Sequence, residues 1–117
     1  DTFNCNAHTT CSDTLWSGTP IVTKIGDQFA ARVASSLLKS MNLNELITTS
    51  NTEYENLIIE LANNKDKLKK IKDKISNNLS KSSLFDTKKY SRNFEKALTQ
   101  AYKYNLQEKE VCDIEIN

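Results

Sequence analysis

The sequence predicts an α/β chain that is mostly helical, with one or two short parallel strands near its front. Both Gly residues and the only Pro lie within the first 26 of the 117 residues, so turn and strand chemistry is concentrated there. Residues 20–24, Pro-Ile-Val-Thr-Lys, are rich in β-branched side chains and predict a short buried strand. Apolar residues recur at helical spacing through most of the remaining chain, which predicts a series of amphipathic helices.

A short helix over about residues 10–17 is predicted before that strand. Thr9 or Thr10 supplies its N-cap, and Gly18 stands where a left-handed residue would end it. Loop, helix, turn and strand in this order form half of a βαβ unit. Because residues 1–3 alone remain for the preceding strand, we expect the unit to be truncated and the chain to be a piece of a larger protein.

The next helix is predicted to start at the turn formed by Gly26 and Asp27. Its apolar face contains Phe29, Val33, Leu37 and Met41. A short helical connector is expected over residues 43–47.

Three further helices are predicted beyond residue 50. Thr52 and Glu55 have capping-box spacing, and a break near residues 63–64 separates this helix from the next. Asp86 or Thr87 is expected to cap the last helix, and residues after Gln107 form a charged tail. Two apolar faces are predicted to point inward, one before residue 80 and one after it: Leu68, Ile71, Ile75 and Leu79; Tyr90, Phe94, Leu98, Ala101 and Tyr102.

Composition excludes several classes of function. Charged residues make up 26% of the chain, yet the net charge is only +1, which argues against nucleic-acid and membrane partners. No apolar run approaches the roughly 20 residues of a membrane span, and there is no signal-peptide pattern. Three cysteines and a single His without metal-ligand spacing predict no metal site and reduced, intracellular thiols.

The residues His8, Thr9, Thr10 and Asp13 form the main candidate site. At a helix start the first backbone N–H groups lack intrahelical partners and the macrodipole is positive, so an anion such as a diphosphate can bind there. Asp13, one turn on, could bind a ribose hydroxyl. An ordinary capped helix, with Asp13 favouring the dipole, explains the same residues about as well.

Two other basic features are weaker candidates. Arg32 could approach a phosphate from the next helix, and a surface or salt-bridge role is equally compatible with its position. Residues 65–74 contain six Lys and two Asp, but Leu68 and Ile71 set the helical phase and leave most lysines on a solvated face.

Many residues, in order and at similar spacing, resemble the C-terminal catalytic region of the protein O-GlcNAc transferase family. The similarity extends from the first residue to about Tyr104. The residues that carry it are Asp1-Thr2, Cys5-Asn6, His8-Thr9-Thr10, Asp13, Leu15-Trp16, Gly18-Thr19-Pro20, Val22-Thr23, Ala31-Arg32-Val33-Ala34, Leu46-Ile47, Glu53-Tyr54-Glu55, Ser83-Leu84-Phe85, Thr87-Lys88 and Tyr90.

The resemblance implies the C-terminal part of the second Rossmann-like lobe of a GT-B glycosyltransferase. Such enzymes transfer N-acetylglucosamine from UDP-GlcNAc to Ser or Thr of cytoplasmic and nuclear proteins, with inversion and without an essential metal or other cofactor. By the same resemblance, His8, Thr9 and Thr10 would bind the UDP diphosphate and Asp13 the ribose. Residues 1–49 would be the nucleotide-binding part, 50–107 a helical part of the same lobe and 108–117 a tail.

Some family features differ or lie elsewhere. Ala7 stands where the family commonly has Gly, and Cys11-Ser12 replace residues similar to Gly-Met. The family's other UDP-binding residues, its other lobe and its substrate-recruiting repeats lie upstream, so no catalytic residue is assigned here and the segment alone is expected to be inactive. Two alternatives stay open: a non-catalytic helical interaction module or remnant, and the related O-fucosyltransferase branch, against which His8 and Asp13 argue.

Overall fold

The computed structural model describes residues 1–116. The chain divides into two compact units, the first comprising Asp1–Leu84 and the second starting at Phe85. The proposed division after residue 49 concerned the nucleotide-binding part of one lobe, and it stays a prediction. The helices and strands of the described residues are α1 Thr9–Trp16, β1 Thr23–Lys24, α2 Val33–Ser40, β2 Ile47–Thr48, α3 Asn51–Asn63, α4 Lys65–Leu79 and α5 Thr87–Leu106. Short 3-10 turns occupy Phe29–Ala31, Asn44–Leu46 and Ser83–Phe85.

Helix α1 starts one residue earlier than predicted. Its N-cap residue is His8, and no side chain caps it, so the expected cap by Thr9 or Thr10 is wrong. The predicted end is confirmed, because Gly18 has a φ of 80°. The Gly18 N–H donates to the Leu15 carbonyl and the Thr19 N–H to the Thr14 carbonyl, both at 3.0 Å, which together form a Schellman motif.

Two short parallel strands are present, as predicted, but β1 is shorter than residues 20–24. Thr23 lies opposite Ile47 and Lys24 opposite Thr48. Ile47 was expected in a helical connector, and it belongs instead to β2, because two consecutive β-branched residues there pair with β1. The 3-10 turn Asn44–Leu46 covers the middle of the expected connector.

The chain between β1 and α2 forms a tight turn before the helix begins. Gly26 donates its N–H to the Ala31 carbonyl at 2.9 Å. A Cβ atom on Gly26 would lie 2.8 Å from the Ala31 Cβ, so this approach requires glycine. As a consequence, α2 begins only at Val33, and Phe29, which was predicted on the apolar face of this helix, precedes α2 and is 75% exposed.

Helix α3 has a capping box, two residues earlier than the predicted one. Ser50 is the N-cap, and its hydroxyl accepts the Glu53 N–H at 3.1 Å. The Glu53 carboxylate accepts the N–H groups of Thr49 at 2.8 Å and of Ser50 at 3.3 Å. These bonds, those from Thr49 above all, lower the pKa of Glu53. Asn64 caps α4 by accepting the Lys67 N–H at 2.9 Å, which confirms the predicted break.

The core of the first unit lies between these helices and the two strands. Ile71 and Ile75 of α4 are buried, which confirms the predicted phase of this helix. Its lysines are not buried, and Lys67 and Lys74 pair with Glu60 and Glu45 at 2.6 and 2.7 Å. Fully buried side chains include Cys11, Leu15, Leu38, Met41, Leu43, Leu46 and Ile75.

The second unit is built on α5. Asp86 is its N-cap and accepts the Lys89 N–H at 2.9 Å, which confirms one of the two predicted caps. The predicted inward face is wrong, because no residue of α5 is buried and Tyr90, Phe94, Leu98 and Tyr102 are 52–68% exposed; Ala101 is exposed too. Helical periodicity places residues on one face, but it does not supply the surface that covers them. Among the described residues, none of the helices has the length and apolar character needed to cross a bilayer.

Candidate functional site

The N-terminal end of α1 carries four exposed hydrogen-bond donors. Within residues 1–116, the backbone N–H groups and the hydroxyls of Thr9 and Thr10 have no acceptor, and both residues are exposed. The N–H groups of a first helical turn cannot bond within the helix, and they lie at the positive end of its dipole. This arrangement is suited to an anion with several acceptor oxygens.

Helix α1 has one buried and one exposed face, which directs these donors outward. Cys11 and Leu15 are fully buried, whereas Thr9, Thr10 and Asp13 are exposed. Burial raises the pKa of the Cys11 thiol to about 11, so this thiol is neutral at physiological pH. Cys11 therefore anchors the helix as a buried, neutral side chain.

The His8 side chain lies at the same helix end. Its Nε2 atom is 3.5 Å from the Ala30 carbonyl oxygen, and its ring meets Phe29 edge-to-face with centroids 6.4 Å apart. The imidazole of the N-cap residue therefore lies against the 3-10 turn Phe29–Ala31. His8 is exposed, so the ring is accessible to a ligand.

Asp13 and Arg32 relate differently to this helix end. Asp13 lies three and four residues after Thr10 and Thr9, on the same side of α1, and its exposed carboxylate has no partner within residues 1–116. Arg32 is exposed and follows the turn that contacts His8, but its guanidinium forms no bond with His8, Thr9, Thr10 or Asp13. The structure thus places Thr9, Thr10 and Asp13 on α1 and His8 at its N-cap, whereas Arg32 belongs to the segment between the 3-10 turn and α2.

The loop before α1 is fixed by residues that were not among the predicted site residues. Asn6 is only 3% exposed; its N–H donates to the Ala30 carbonyl and its Nδ2 to the Thr2 carbonyl, both at 2.8 Å. The buried Asn6 Oδ1 has no partner in the described chain. The Ala7 N–H donates to Asp1 Oδ1 at 2.8 Å. The available signal was the tendency of Asn and Asp in loops to bond nearby backbone.

The site offers donors for an anion. Within residues 1–116, no three His, Cys, Asp or Glu side chains are grouped closely enough to hold a metal ion. What the arrangement can do chemically is bind and stabilise negative charge at the start of α1.

Comparison with known proteins gives this site a context. The family model described as glycosyl transferase family 41 matches residues 1–94. The chain belongs to glycosyl transferase family 41. A Caenorhabditis elegans relative named UDP-N-acetylglucosamine–peptide N-acetylglucosaminyltransferase is 38% identical over 103 residues, which cover 88% of this chain and 9% of the relative. The Arabidopsis thaliana relative SEC, whose name gives the same activity as probable, is 38% identical over 98 residues, which cover 83% and 10%.

A solved family structure confirms the fold. The K341M mutant of Thermobaculum terrenum O-GlcNAc transferase matches with a TM-score of 0.79 and 29% identity, over 86% of this chain and 19% of that one. The predicted fold class, an α/β part of a GT-B lobe, and the resemblance to protein O-GlcNAc transferases are both confirmed. The chain spans about a tenth of the length of the two named relatives.

Proposed function

We propose that this chain is the UDP-binding part of the C-terminal lobe of a protein O-GlcNAc transferase. The complete protein would transfer N-acetylglucosamine from UDP-GlcNAc to Ser or Thr of acceptor proteins in the cytoplasm and/or nucleus. The observation that carries the proposal is the group of four donors of Thr9 and Thr10, which have no acceptor within residues 1–116 and are exposed at the start of α1. The peptide N-acetylglucosaminyltransferase names of its relatives support the substrate class.

The proposed roles follow from where each group lies. The N–H groups and hydroxyls of Thr9 and Thr10, with the His8 ring beside them, bind the diphosphate, and Asp13 accepts a hydrogen bond from the ribose. UDP departs with negative charge, so donors already fixed at the helix start lower the barrier to its departure. One such donor is typically worth about 3 kcal/mol of barrier. Arg32 is kept as a second, peripheral candidate for a phosphate contact.

Metal independence is a further part of the proposal. The helix dipole and the neutral donors offset the diphosphate charge without a divalent cation. Transferase activity of the complete protein should therefore be unchanged by EDTA, and loss of activity that Mg²⁺ restores would overturn this part.

Titration of nucleotides into the complete protein tests the proposed roles. Thr10→Val removes one hydroxyl at nearly constant shape, so UDP should bind about 10-fold more weakly while uridine, which lacks phosphates, binds as before. Asp13→Ala should weaken both UDP and uridine. The exposed Asp73 of α4 offers a matched control, and Asp73→Ala should change neither affinity.

The outcomes separate the proposal from its alternatives. Wild-type affinity for UDP in both Thr10→Val and Asp13→Ala would refute the site. Absence of any nucleotide binding by the complete protein would favour the helical interaction module, and a preference for GDP over UDP would favour a different sugar donor, as in the O-fucosyltransferase branch.

A further inference from the structure

We propose that the Asp1 carboxylate is the positioning residue of this nucleotide site, an inference that rests on the proposed UDP-binding function. Asp1 lies outside α1, and both of its carboxylate oxygens accept hydrogen bonds from the protein. Its effect on a ligand would therefore be transmitted through the loop that leads to the helix.

The carboxylate joins the loop to the sheet. Oδ1 accepts the N–H groups of Ala7 and Thr2, each at 2.8 Å. Oδ2 accepts the hydroxyl of Thr23 at 2.6 Å, and Thr23 is a fully buried residue of β1. Through these bonds at both oxygens, the side chain links β1 to the peptide before His8.

The backbone of Asp1 is itself anchored to α3. The Tyr54 hydroxyl donates to the Asp1 carbonyl at 3.2 Å. The Phe3 ring packs edge-to-face on the Tyr54 ring, with centroids 5.1 Å apart, and the Lys24 ammonium lies 4.5 Å from the Phe3 centroid. The position of Asp1 is thus determined by two elements of the first unit.

The loop between Asp1 and Ala7 has its own internal bonds. Asn6 Nδ2 donates to the Thr2 carbonyl at 2.8 Å, and the Thr2 hydroxyl donates to the Cys5 carbonyl. The Asn6 N–H reaches the Ala30 carbonyl, which also lies against the His8 ring. The Ala7 bond to Asp1 is therefore the last of these links before the N-cap residue, and it connects the start of α1 to β1 through the Asp1 side chain.

Three variants of the complete protein test this role. Asp1→Ala removes every carboxylate bond, so we expect UDP affinity to fall at least 10-fold, with a matching rise in KM for UDP-GlcNAc and no change in KM for the acceptor peptide. Asp1→Asn keeps an Oδ1 acceptor for Ala7, so its affinity for UDP should stay within about threefold of wild type. Thr23→Val frees Oδ2 alone and should give an intermediate loss; it also tests the proposal if Asp1→Ala does not fold.

Amide hydrogen exchange of Ala7 reports on the link itself, with or without nucleotide. It should become at least 10-fold faster in Asp1→Ala and stay close to wild type in Asp1→Asn and in the control Asp73→Ala. Unchanged UDP affinity in Asp1→Ala and Thr23→Val, or a loss in Asp1→Asn as large as in Asp1→Ala, would overturn the positioning role. If Asp13→Ala weakens UDP while Asp1→Ala does not, the inference alone fails; if neither does, the proposed function fails first.

Discussion

Helices α4 and α5 begin in the same way but differ in what becomes of their apolar residues. Asn64 caps α4 and Asp86 caps α5, each through a bond of 2.9 Å to the third residue of its helix. Ile71 and Ile75 of α4 are at most 5% exposed, whereas Tyr90 and Phe94 of α5 are 68% and 52% exposed. Local sequence signals thus determine where a helix starts and which residues share a face, while burial depends on a second element.

The largest expected difference between the units concerns their leucines. Leu38 is fully buried and Leu98 is 56% exposed. Leu38→Ala should lower the free energy of unfolding by about 3 kcal/mol through lost burial and a cavity, and Leu98→Ala by less than about 0.5 kcal/mol. Urea unfolding of the 117-residue chain, followed by circular dichroism, measures both. Equal losses would show that Leu98 is packed in solution.

The second largest difference is expected between the alkylation rates of two cysteines, one in each unit. Cys11 is buried with a pKa raised to about 11, whereas Cys112 is exposed. Since the thiolate is the reactive form, iodoacetamide at pH 8 should modify Cys112 faster by on the order of a hundredfold. Mass spectrometry of timed samples measures both rates, and denaturant should make them equal. Rapid native labelling of Cys11 would contradict its burial.

Removal of a helix cap should destabilise a helix by the same amount in both units. Ser50→Ala and Asp86→Ala each remove a side chain that accepts a backbone N–H, so each should destabilise the first turn of its helix by about 1 kcal/mol. Amide exchange in the first turns of α3 and α5 measures the loss. Ser50→Thr and Asp86→Asn keep a cap and should behave as wild type. A loss confined to one helix would mean that capping, too, depends on packing.

The smallest effect should be the pH dependence of α3. The pKa of Glu53 is lowered in the folded chain by hydrogen bonds from Thr49 and Ser50. A lowered carboxylate pKa contributes stability that is complete above the ordinary Glu value, about 4.3, and is lost as the pH falls through the folded value. The protection factors of the amides at the start of α3, which are exchange rates corrected for the intrinsic effect of pH, should therefore fall in acid and, in Glu53→Gln, become independent of that titration. The start of α4, capped by the non-titrating Asn64, is the internal reference.

Features encoded within one helical turn could be predicted from the sequence. Gly18 ended α1 as expected, and Ile71 and Ile75 gave the correct buried face of α4. The first residue of a helix was harder to predict where two residue pairs have the same spacing. Ser50 with Glu53 and Thr52 with Glu55 both match a capping box. The structure selects the first, because β2 ends at Thr48 and the chain turns directly into α3.

The candidate site also has features that the local sequence predicts and contacts that only the fold determines. Donors at the start of α1 are a property of the local sequence, so Thr9, Thr10 and Asp13 could be named as candidates without a structure. The bonds of Asp1 to Ala7 and Thr23, and of Asn6 to Ala30, depend on how the sheet and the 3-10 turn bring distant residues together. Periodicity and spacing contain no information about such contacts.

The tight turn at Gly26 has an evolutionary consequence for the candidate site. A single methyl group there would meet the Ala31 Cβ at 2.8 Å and displace the turn whose Ala30 carbonyl receives Asn6 and faces His8. The His8 imidazole can retain its contact with the Ala30 carbonyl only while residue 26 is glycine. Selection on sugar-nucleotide binding would therefore act on a residue that has no side chain to offer the ligand.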